Sequence, residues 1–380
     1  MNKFILKIIS IYLGWRLMLF FVTFFGLLLV TAPGNSDLHQ PILDVYQNVW
    51  NWWDGGFYHD IAASGYHEPP NSAFGGFPVR TAFFPMFPFL IRIISSILRL
   101  DLSLVQLIIP FVAMGVAAIF IGLLVKKITD EKTALLTILT MLLFPFSYFF
   151  AAGYSESVFL MFVAGFFYFL LTRKNYWYAS VFAAGASATR PVGSVLALVM
   201  LISYLRNDYN NKKFRIILPF IISILGPFAY MFYLKIRFGN PLIFIEAQRG
   251  WRQSLGGNFI AGLYKSFSQI YDVSKTIDWS LIFFERLSLF IAIIAGIYLL
   301  YKQRGKYLEL ANYLFISIML PLITGTFGSL NRLIIVIFPI YFAIALIGRK
   351  RPVIMLTYLM LSGSLLVIWT IFYTHSIWTG

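Results

Sequence analysis

Long blocks without any charged residue constrain this chain more than any other feature. The segments 216–233 and 353–373 contain no Asp, Glu, Lys or Arg, and similar blocks recur along the 380 residues. About 20 apolar residues are enough to span a bilayer as a helix. Because hydrocarbon offers no hydrogen-bond partners, only helices and closed barrels can cross it. The blocks are continuous rather than alternating, so they predict an all-α polytopic membrane protein with one transmembrane domain over residues 1–380.

Nine blocks are predicted to form full membrane spans. They cover 4–31, 105–125, 133–150, 156–172, 216–234, 280–301, 308–325, 333–347 and 353–373. A further apolar segment, 175–205, is interrupted by the run Ala188-Thr189-Arg190-Pro191. Proline removes a backbone donor and disfavours a helical conformation at the residue before it, so the helix is predicted to break at Arg190.

Basic residues indicate how the segment 175–205 lies in the membrane. The formal net charge is +15, and Lys and Arg concentrate in the loops that stay on the cytoplasmic side. A single crossing by 175–205 would place the basic clusters 212–215 and 349–351 outside. A re-entrant broken hairpin with Arg190 at its tip keeps both clusters inside, and the distribution of charge favours it. The same distribution accounts for the net charge without a nucleic-acid partner.

Two stretches are predicted to lie outside the membrane: a large loop, 32–104, after the first span, and a second loop, 238–279. The four histidines show no metal-ligand spacing, and the chain has no cysteine. No metal and no cofactor is therefore expected. The partners expected at these loops are membrane lipids.

Asp54 is the first candidate for chemistry, because it directly follows two tryptophans in the first outer loop. Partial burial among aromatic side chains would raise the pKa of a carboxyl toward the range of a general base. Alternatively, Asp54 caps a helix that starts at Gly55, and the tryptophans anchor the loop at the membrane surface. The local pattern leaves both interpretations open.

Two arginines lie in segments that should avoid charge: Arg190 at the hairpin tip and Arg332 at the outer mouth of another span. A guanidinium binds a phosphate through two parallel hydrogen bonds, so both are candidate phosphate ligands. The alternatives are a salt bridge, for example with Glu156, for Arg190 and snorkelling to lipid headgroups for Arg332. Glu156 is either a site residue or an acid in the first turn of a helix. Arg16, about three turns into the first span, is expected to snorkel inward or to be paired.

Six motifs in order along the chain carry a resemblance to a known family. They are Trp53-Asp54 with Tyr58, Ile61-Ala62 and Gly65-Tyr66; Ala82-Phe83-Phe84-Pro85 with Pro88; Ala151-Ala152-Gly153-Tyr154-Ser155-Glu156-Ser157; Ala188-Thr189-Arg190 with Gly193; Glu246-Ala247-Gln248 with Trp251; and Gly328-Ser329 with Arg332. With these motifs the chain resembles the GPI mannosyltransferase family of the phosphatidylinositol-glycan class V type and its bacterial relatives.

The resemblance implies a membrane glycosyltransferase of the C-type fold. Its donor would be a polyprenyl- or dolichyl-phosphate mannose, bound on the extracytoplasmic side of a bacterial plasma membrane, and its acceptor a glycolipid or glycan. Asp54 matches the family's catalytic acid, and transfer would invert the anomeric carbon. Arg190 and Arg332 would bind the donor phosphate. Four further residues in the matching motifs are predicted to orient the sugar or the site: Tyr154, Glu156, Gln248 and Trp251.

Two alternatives to a mannosyltransferase stay open at this stage. One is a related transferase for another sugar, such as glucose or arabinose. The other is a lipid or glycan transporter, because a broken hairpin with an internal arginine also suits transporters. The absence of a visible inverted repeat, the large first outer loop and the position of Asp54 in it favour the enzyme.

Overall fold

The structure is a computed structural model that describes residues 3–30, 42–67, 77–207, 216–250, 276–301, 305–323 and 329–377. Within these ranges every regular element is a helix. The helices are α1 (Lys3–Leu29), α2 (Ile42–Trp50), α3 (Asp54–Ser64), α4 (Met86–Leu98), α5 (Leu102–Ile128), α6 (Glu131–Leu142), α7 (Glu156–Thr172), α8 (Tyr176–Thr189), α9 (Val195–Asn207), α10 (Ile217–Ser223), α11 (Leu225–Phe238), α12 (Ile243–Gly250), α13 (Thr276–Tyr301), α14 (Leu308–Ile323), α15 (Leu330–Ile335), α16 (Pro339–Gly348) and α17 (Pro352–Thr374). Short 3-10 turns cover Val79–Ala82, Ser147–Phe150 and Pro191–Ser194.

The helices confirm an all-α integral membrane protein. Four described helices are long and apolar enough to span a bilayer: α1, α5, α17 and the part Ser280–Tyr301 of α13. A fifth span is possible if α10 and α11, which meet at a bend of 51°, cross together. Three other predicted spans, 156–172, 308–325 and 333–347, correspond to shorter apolar helices. The number of nine full crossings therefore stays a prediction.

Three segments predicted as continuous spans are broken or bent, and each contains a proline. The segment 133–150 divides after α6, just before Pro145, and 333–347 divides between α15 and α16, just before Pro339. In 216–234 the chain bends between α10 and α11, because Pro227 has no N–H to donate to the Ser223 carbonyl. The Ser187 hydroxyl donates to that carbonyl instead, at 3.0 Å. Hydropathy alone does not register these breaks.

The described chain divides into two compact units. Unit 1 comprises Met1–Ala63, Phe87–Arg173 and Tyr341–Thr379. Its core is α5, which packs against α1, α6 and α7, while α17 packs against α1. At one end of the unit, Lys7 and Lys126 both pair with Glu131, at 2.7 and 2.8 Å, and Arg349 pairs with Asp130. The start of α1 and two loops predicted to be cytoplasmic, 126–132 and 348–352, thus lie together.

Unit 2 comprises Ser64–Met86, Lys174–Ile340 and Gly380. In it α8 packs against α10 and α11, and α9 packs against α14. The rings of Tyr176, at the start of α8, and Tyr204, near the end of α9, lie 5.8 Å apart. The two ends of the segment 175–205 therefore lie close together, and its re-entrant course in the membrane stays a prediction. Its returning end meets another loop predicted to be cytoplasmic, because Arg206 donates to the Gly305 carbonyl at 3.0 Å.

Candidate functional site

Asp54 occupies the first turn of α3 in unit 1 and is half-buried. The helix begins at Asp54 itself, one residue before the predicted start. The preceding residue, Trp53, has a φ of +58°, which is the left-handed region that a bulky side chain rarely adopts. Such backbone strain costs of order 1–3 kcal/mol and persists only where the surroundings impose it. The strain at Trp53 therefore marks the position of Asp54 as one that the fold specifies.

Gln106 on α5 holds the start of α3 against the turn before α7. Its side-chain amide nitrogen donates to two carbonyls, that of Gly55 at 2.8 Å and that of Gly153 at 2.9 Å. The side chain is fully buried, and its carbonyl oxygen has no hydrogen-bond partner within the described part of the chain. A buried amide whose carbonyl oxygen accepts no hydrogen bond lowers the stability of the fold. A glutamine placed at this cost next to Asp54 is typical of a functional site rather than of a position that only fills the core.

The turn before α7 contacts the Asp54 segment at three further points. The N–H of Gly153 donates to the Trp50 carbonyl at 2.9 Å. The Tyr154 hydroxyl donates to the Trp52 carbonyl at 2.9 Å, and the Tyr58 hydroxyl donates to Ser155 Oγ at 2.8 Å. A side chain on Gly153 would collide with Asn51 and Gln106. The structure thus brings the Tyr154 turn against the segment that carries Asp54.

Tyr154 and Glu156 are both fully buried in unit 1. The Tyr154 ring stacks on Phe149 at 5.7 Å, and its hydroxyl contacts the backbone of the Asp54 segment. Glu156 lies in the first turn of α7, where the helix dipole favours an acid. This position agrees with the interpretation of Glu156 as an acid in the first turn of a helix. Because Glu156 is also completely buried, it stays a candidate site residue. Orienting roles for both residues stay predictions.

Arg190 lies at the break of the hairpin in unit 2, in an extended conformation between α8 and a 3-10 turn. Its N–H donates to the Ala186 carbonyl at 3.0 Å, and its own carbonyl accepts from Gly193 at 2.9 Å. A Cβ at Gly193 would collide with the backbone of Ala186, so only glycine allows this approach. The side chain of Arg190 is half-buried. The predicted helix break at Arg190 is confirmed. The backbone geometry at this break fixes the position from which the Arg190 side chain extends.

Arg332 is 6% exposed on α15 in unit 2, directly after a left-handed turn at Ser329 with a φ of +62°. Glu285 on α13 holds this turn, because its carboxylate accepts from the Leu330 N–H at 3.1 Å and from Arg286 at 3.2 Å. One helical turn further, Ser288 donates to Asn331 Oδ1 at 2.8 Å. The amide nitrogen of the fully buried Asn331 has no partner within the described residues.

Gln248 is half-buried on α12, which packs against the 3-10 turn Val79–Ala82 within unit 2. The ring of Phe84 lies 5.6 Å from that of Phe244 on α12 and 5.0 Å from that of Tyr230. The Tyr66 hydroxyl donates to the Phe83 carbonyl. Motifs from three distant parts of the sequence therefore meet in this unit. Trp251, the last predicted site residue, lies outside the described residues.

Several polar residues of the two units were not singled out from the sequence: Gln106, Asn51, Glu285, Arg286 and Asn331. Gln106, Glu285 and Arg286 interrupt apolar spans, and a polar residue inside a span is a functional candidate by default. That signal was present and would have identified them. Asn51 carries no comparable signal, because an asparagine in an outer loop is common.

The described ranges contain no group of three or more His, Asp or Glu side chains that could hold a metal ion. Among the predicted site residues, a carboxylate can transfer a proton and guanidinium groups can stabilise an anion.

Comparison with known proteins bears on the kind of enzyme. Residues 80–232, less than half of the chain, match the profile of the dolichyl-phosphate-mannose-protein mannosyltransferase family. The matched segment includes the Gly153 turn and Arg190. The match supports the enzyme class expected from the motifs, a glycosyltransferase that uses a sugar linked to a polyprenyl-type phosphate. No curated protein matches the chain.

Several solved structures of an oligosaccharyltransferase from the archaeon Archaeoglobus fulgidus are similar to the chain. The complex with Zn and sulfate is 13% identical with a TM-score of 0.42, covering 94% of this chain and 53% of that one. The complex with an inhibitory peptide and a dolichol-phosphate is 13% identical with a TM-score of 0.39, covering 97% and 56%. The structure tethered to an acceptor peptide is 12% identical with a TM-score of 0.44, covering 97% and 55%. The chain spans little more than half the length of these proteins.

Proposed function

We propose that this protein is a C-type membrane glycosyltransferase that moves a mannosyl group from a polyprenyl- or dolichyl-phosphate carrier to the hydroxyl of a glycolipid or glycan. The observation that carries the proposal is the placement of Asp54. A half-buried acid follows a strained tryptophan, and a buried glutamine and two tyrosine hydroxyls fix the segment around it. The match of residues 80–232 to a mannosyltransferase family supports the choice of donor and sugar.

In the proposed reaction Asp54 takes the proton from the acceptor hydroxyl as its oxygen attacks the anomeric carbon. The bond between that carbon and the phosphate oxygen breaks, and the lipid leaves as a phosphate monoester. A single displacement inverts the anomeric configuration. Arg190 and Arg332 are assigned to the donor phosphate, whose growing negative charge oriented cations would stabilise. Glu156, Gln248, Tyr154 and Trp251 are assigned to orienting the sugar or these side chains.

The test is transfer by purified protein in lipid nanodiscs, given radiolabelled polyprenyl-phosphate mannose and a lipid extract. A general base contributes about 10²–10⁴-fold in rate, so Asp54→Asn should lose at least that order of turnover while still binding donor. Asp101→Asn is the matched control, because Asp101 caps α5 through the N–H groups of Ser103 and Leu104, and asparagine caps as well as aspartate. Near wild-type transfer by Asp54→Asn would remove Asp54 from the mechanism.

Arg190→Lys tests the phosphate assignment. Lysine keeps the charge but loses the planar fork that binds two phosphate oxygens, so donor affinity should fall in this variant as well as in Arg190→Ala. Unchanged donor affinity in both Arg190→Ala and Arg332→Ala would refute the assignment.

We propose that Asp54 lies on the extracytoplasmic side, since Lys and Arg concentrate in the loops predicted to be cytoplasmic. Because the chain has no cysteine, single cysteines report accessibility directly. Ser64→Cys, at the exposed end of α3, should react with an impermeant thiol reagent in intact cells. Asn207→Cys, at the exposed end of α9, should react only after permeabilisation. Labelling of Asn207→Cys in intact cells would contradict the sidedness.

A further inference from the structure

Arg16 on α1 is a membrane-embedded cation that forms no ion pair with the described residues. Its Nε donates to the Tyr12 hydroxyl at 2.9 Å, and its two terminal nitrogens donate to the carbonyls of Ala151 and Phe150 at 3.4 and 3.3 Å. The sequence predicted that Arg16 snorkels inward or is paired. It is paired with a hydroxyl and two carbonyls, and the guanidinium reaches the turn after α6, away from the end of the unit where Lys7 pairs with Glu131.

The neighbours of Arg16 are neutral acceptors and aromatic rings. The guanidinium carbon lies 5.6, 5.3 and 5.1 Å from the ring centroids of Tyr12, Trp15 and Phe111. Aromatic faces attract a cation but do not neutralise it. A guanidinium carries five N–H donors, and three of them account for the hydrogen bonds described above. Two donors and a full positive charge are therefore left for another acceptor.

A cavity of about 550 Å³ lies beside this guanidinium. The polar groups that line it are the side chains of Arg16 and Gln47 and the hydroxyl of Tyr46. The rest of its lining is apolar. Four residues of that lining are more than two-fifths exposed on the surface of the helices: Leu13 (46%), Leu17 (55%), Phe20 (43%) and Phe111 (42%). In a membrane protein such an apolar surface on α1 and α5 faces acyl chains. The cavity thus combines an apolar entrance from the bilayer with one uncompensated cation.

We propose that this cavity binds an anionic phospholipid of the surrounding membrane, with its phosphate on Arg16 and its acyl chains over Leu13, Leu17 and Phe20. Charge complementarity carries the choice of occupant. A charged side chain within the bilayer is costly, and the cost falls when the bilayer thins locally around it. A headgroup with a net charge of −1 neutralises Arg16, whereas a zwitterionic headgroup brings a second cation with its phosphate. The site is separate from the roles assigned to Asp54, Arg190 and Arg332.

Native mass spectrometry of the purified, delipidated protein can measure the affinity for phosphatidylglycerol directly. A hydrogen-bonded charged pair corresponds to roughly 10- to 100-fold in affinity, so Arg16→Gln should bind phosphatidylglycerol that much more weakly. Leu17→Trp leaves the guanidinium in place and fills the entrance, and it should also weaken binding. This second variant keeps the test decisive if Arg16→Gln, which loses its bonds to the carbonyls of 150 and 151, does not fold.

Arg173→Gln is the matched control. Arg173 likewise donates to a tyrosine hydroxyl, that of Tyr168, and lies 5.7 Å from its ring, but it is exposed at the end of α7. This variant should bind phosphatidylglycerol as the wild type does. Unchanged affinity in Leu17→Trp, or an equal loss in Arg173→Gln, would overturn the proposal. Equal affinity of the wild type for phosphatidylcholine, or tighter binding of undecaprenyl phosphate at this site, would overturn the choice of occupant.

Discussion

The hydroxyl of Tyr58 on α3 donates to the hydroxyl of Ser155, 2.8 Å away, just before α7 begins. Both side chains are buried, so the bond is shielded from water. It joins the helix that starts at Asp54 to the turn that precedes Glu156. Two motifs almost 100 residues apart in the sequence are thereby held at one place in unit 1.

Tyr58→Phe should lower the turnover number and leave the Michaelis constant for the donor close to that of the wild type. The variant keeps the ring but removes a bond of about 0.5–1.5 kcal/mol and leaves Ser155 without this donor. Because both residues act through the same bond, Tyr58→Phe with Ser155→Ala should cost less than the sum of the single changes. Steady-state kinetics of the three variants measure this coupling. Additive losses would contradict it.

Gly153→Ala should destabilise the protein, because the added methyl group would lie against Asn51 and only 2.9 Å from two atoms of Gln106. Overpacking of this kind costs typically about 1–3 kcal/mol. Gly14→Ala on α1 is the matched control, since a Cβ there meets nothing within 4 Å. Alanine inside a helix is favoured over glycine by about 0.5–1 kcal/mol, so this variant should be no less stable than the wild type. Thermal unfolding in detergent measures both.

The ion pairs of Glu131 should make stability depend on acid pH. Hydrogen bonds from Lys126 and Lys7 lower the pKa of Glu131 from 4.5 to about 2. A carboxyl whose pKa is lower in the folded state contributes stability above its unfolded pKa, and this contribution is lost as pH falls through the folded pKa. The difference in melting temperature between wild type and Glu131→Gln should therefore be constant above about pH 5 and shrink between pH 4.5 and 2. A difference that is the same at pH 7 and pH 2.5 would contradict the pairing.

Hydropathy and charge were sufficient to predict the all-α class, the broken segment at Arg190 and the grouping of the basic loops. These features depend on composition and on single prolines, which a sequence shows directly. The bend at Ile224 depends on a hydroxyl from another helix, Ser187, that takes the place of a missing donor. Nothing local to 216–234 indicates that partner.

The candidate site was predictable to a similar degree. Asp54 and Tyr154 were identified as site candidates because both belong to motifs of one family, and the Tyr154 hydroxyl bonds to the Trp52 carbonyl, two residues before Asp54. Gln106 was missed, although a glutamine within an apolar helix is a visible anomaly. The partners of Arg16 were not predicted, because the sequence does not show that the carbonyls of the turn after α6 lie within its reach.

Glu285→Leu should weaken donor binding, although Glu285 itself is not assigned to the donor. Its carboxylate accepts from the Leu330 N–H at 3.1 Å and so fixes the turn from Ser329 that places Arg332. Loss of a charged hydrogen bond of about 1.5–3 kcal/mol should raise the donor dissociation constant roughly tenfold or more. Glu309→Leu is the control, because Glu309 is equally buried at 5% exposure and pairs with Arg206 at 3.7 Å in the same unit. It should lower the melting temperature without changing donor affinity.

Glu285→Gln keeps an acceptor oxygen for the Leu330 N–H and should recover most of the affinity that Glu285→Leu loses. A purely structural role predicts parallel losses at 285 and 309 and no recovery by glutamine, so equilibrium binding of labelled donor to the four proteins decides between the two.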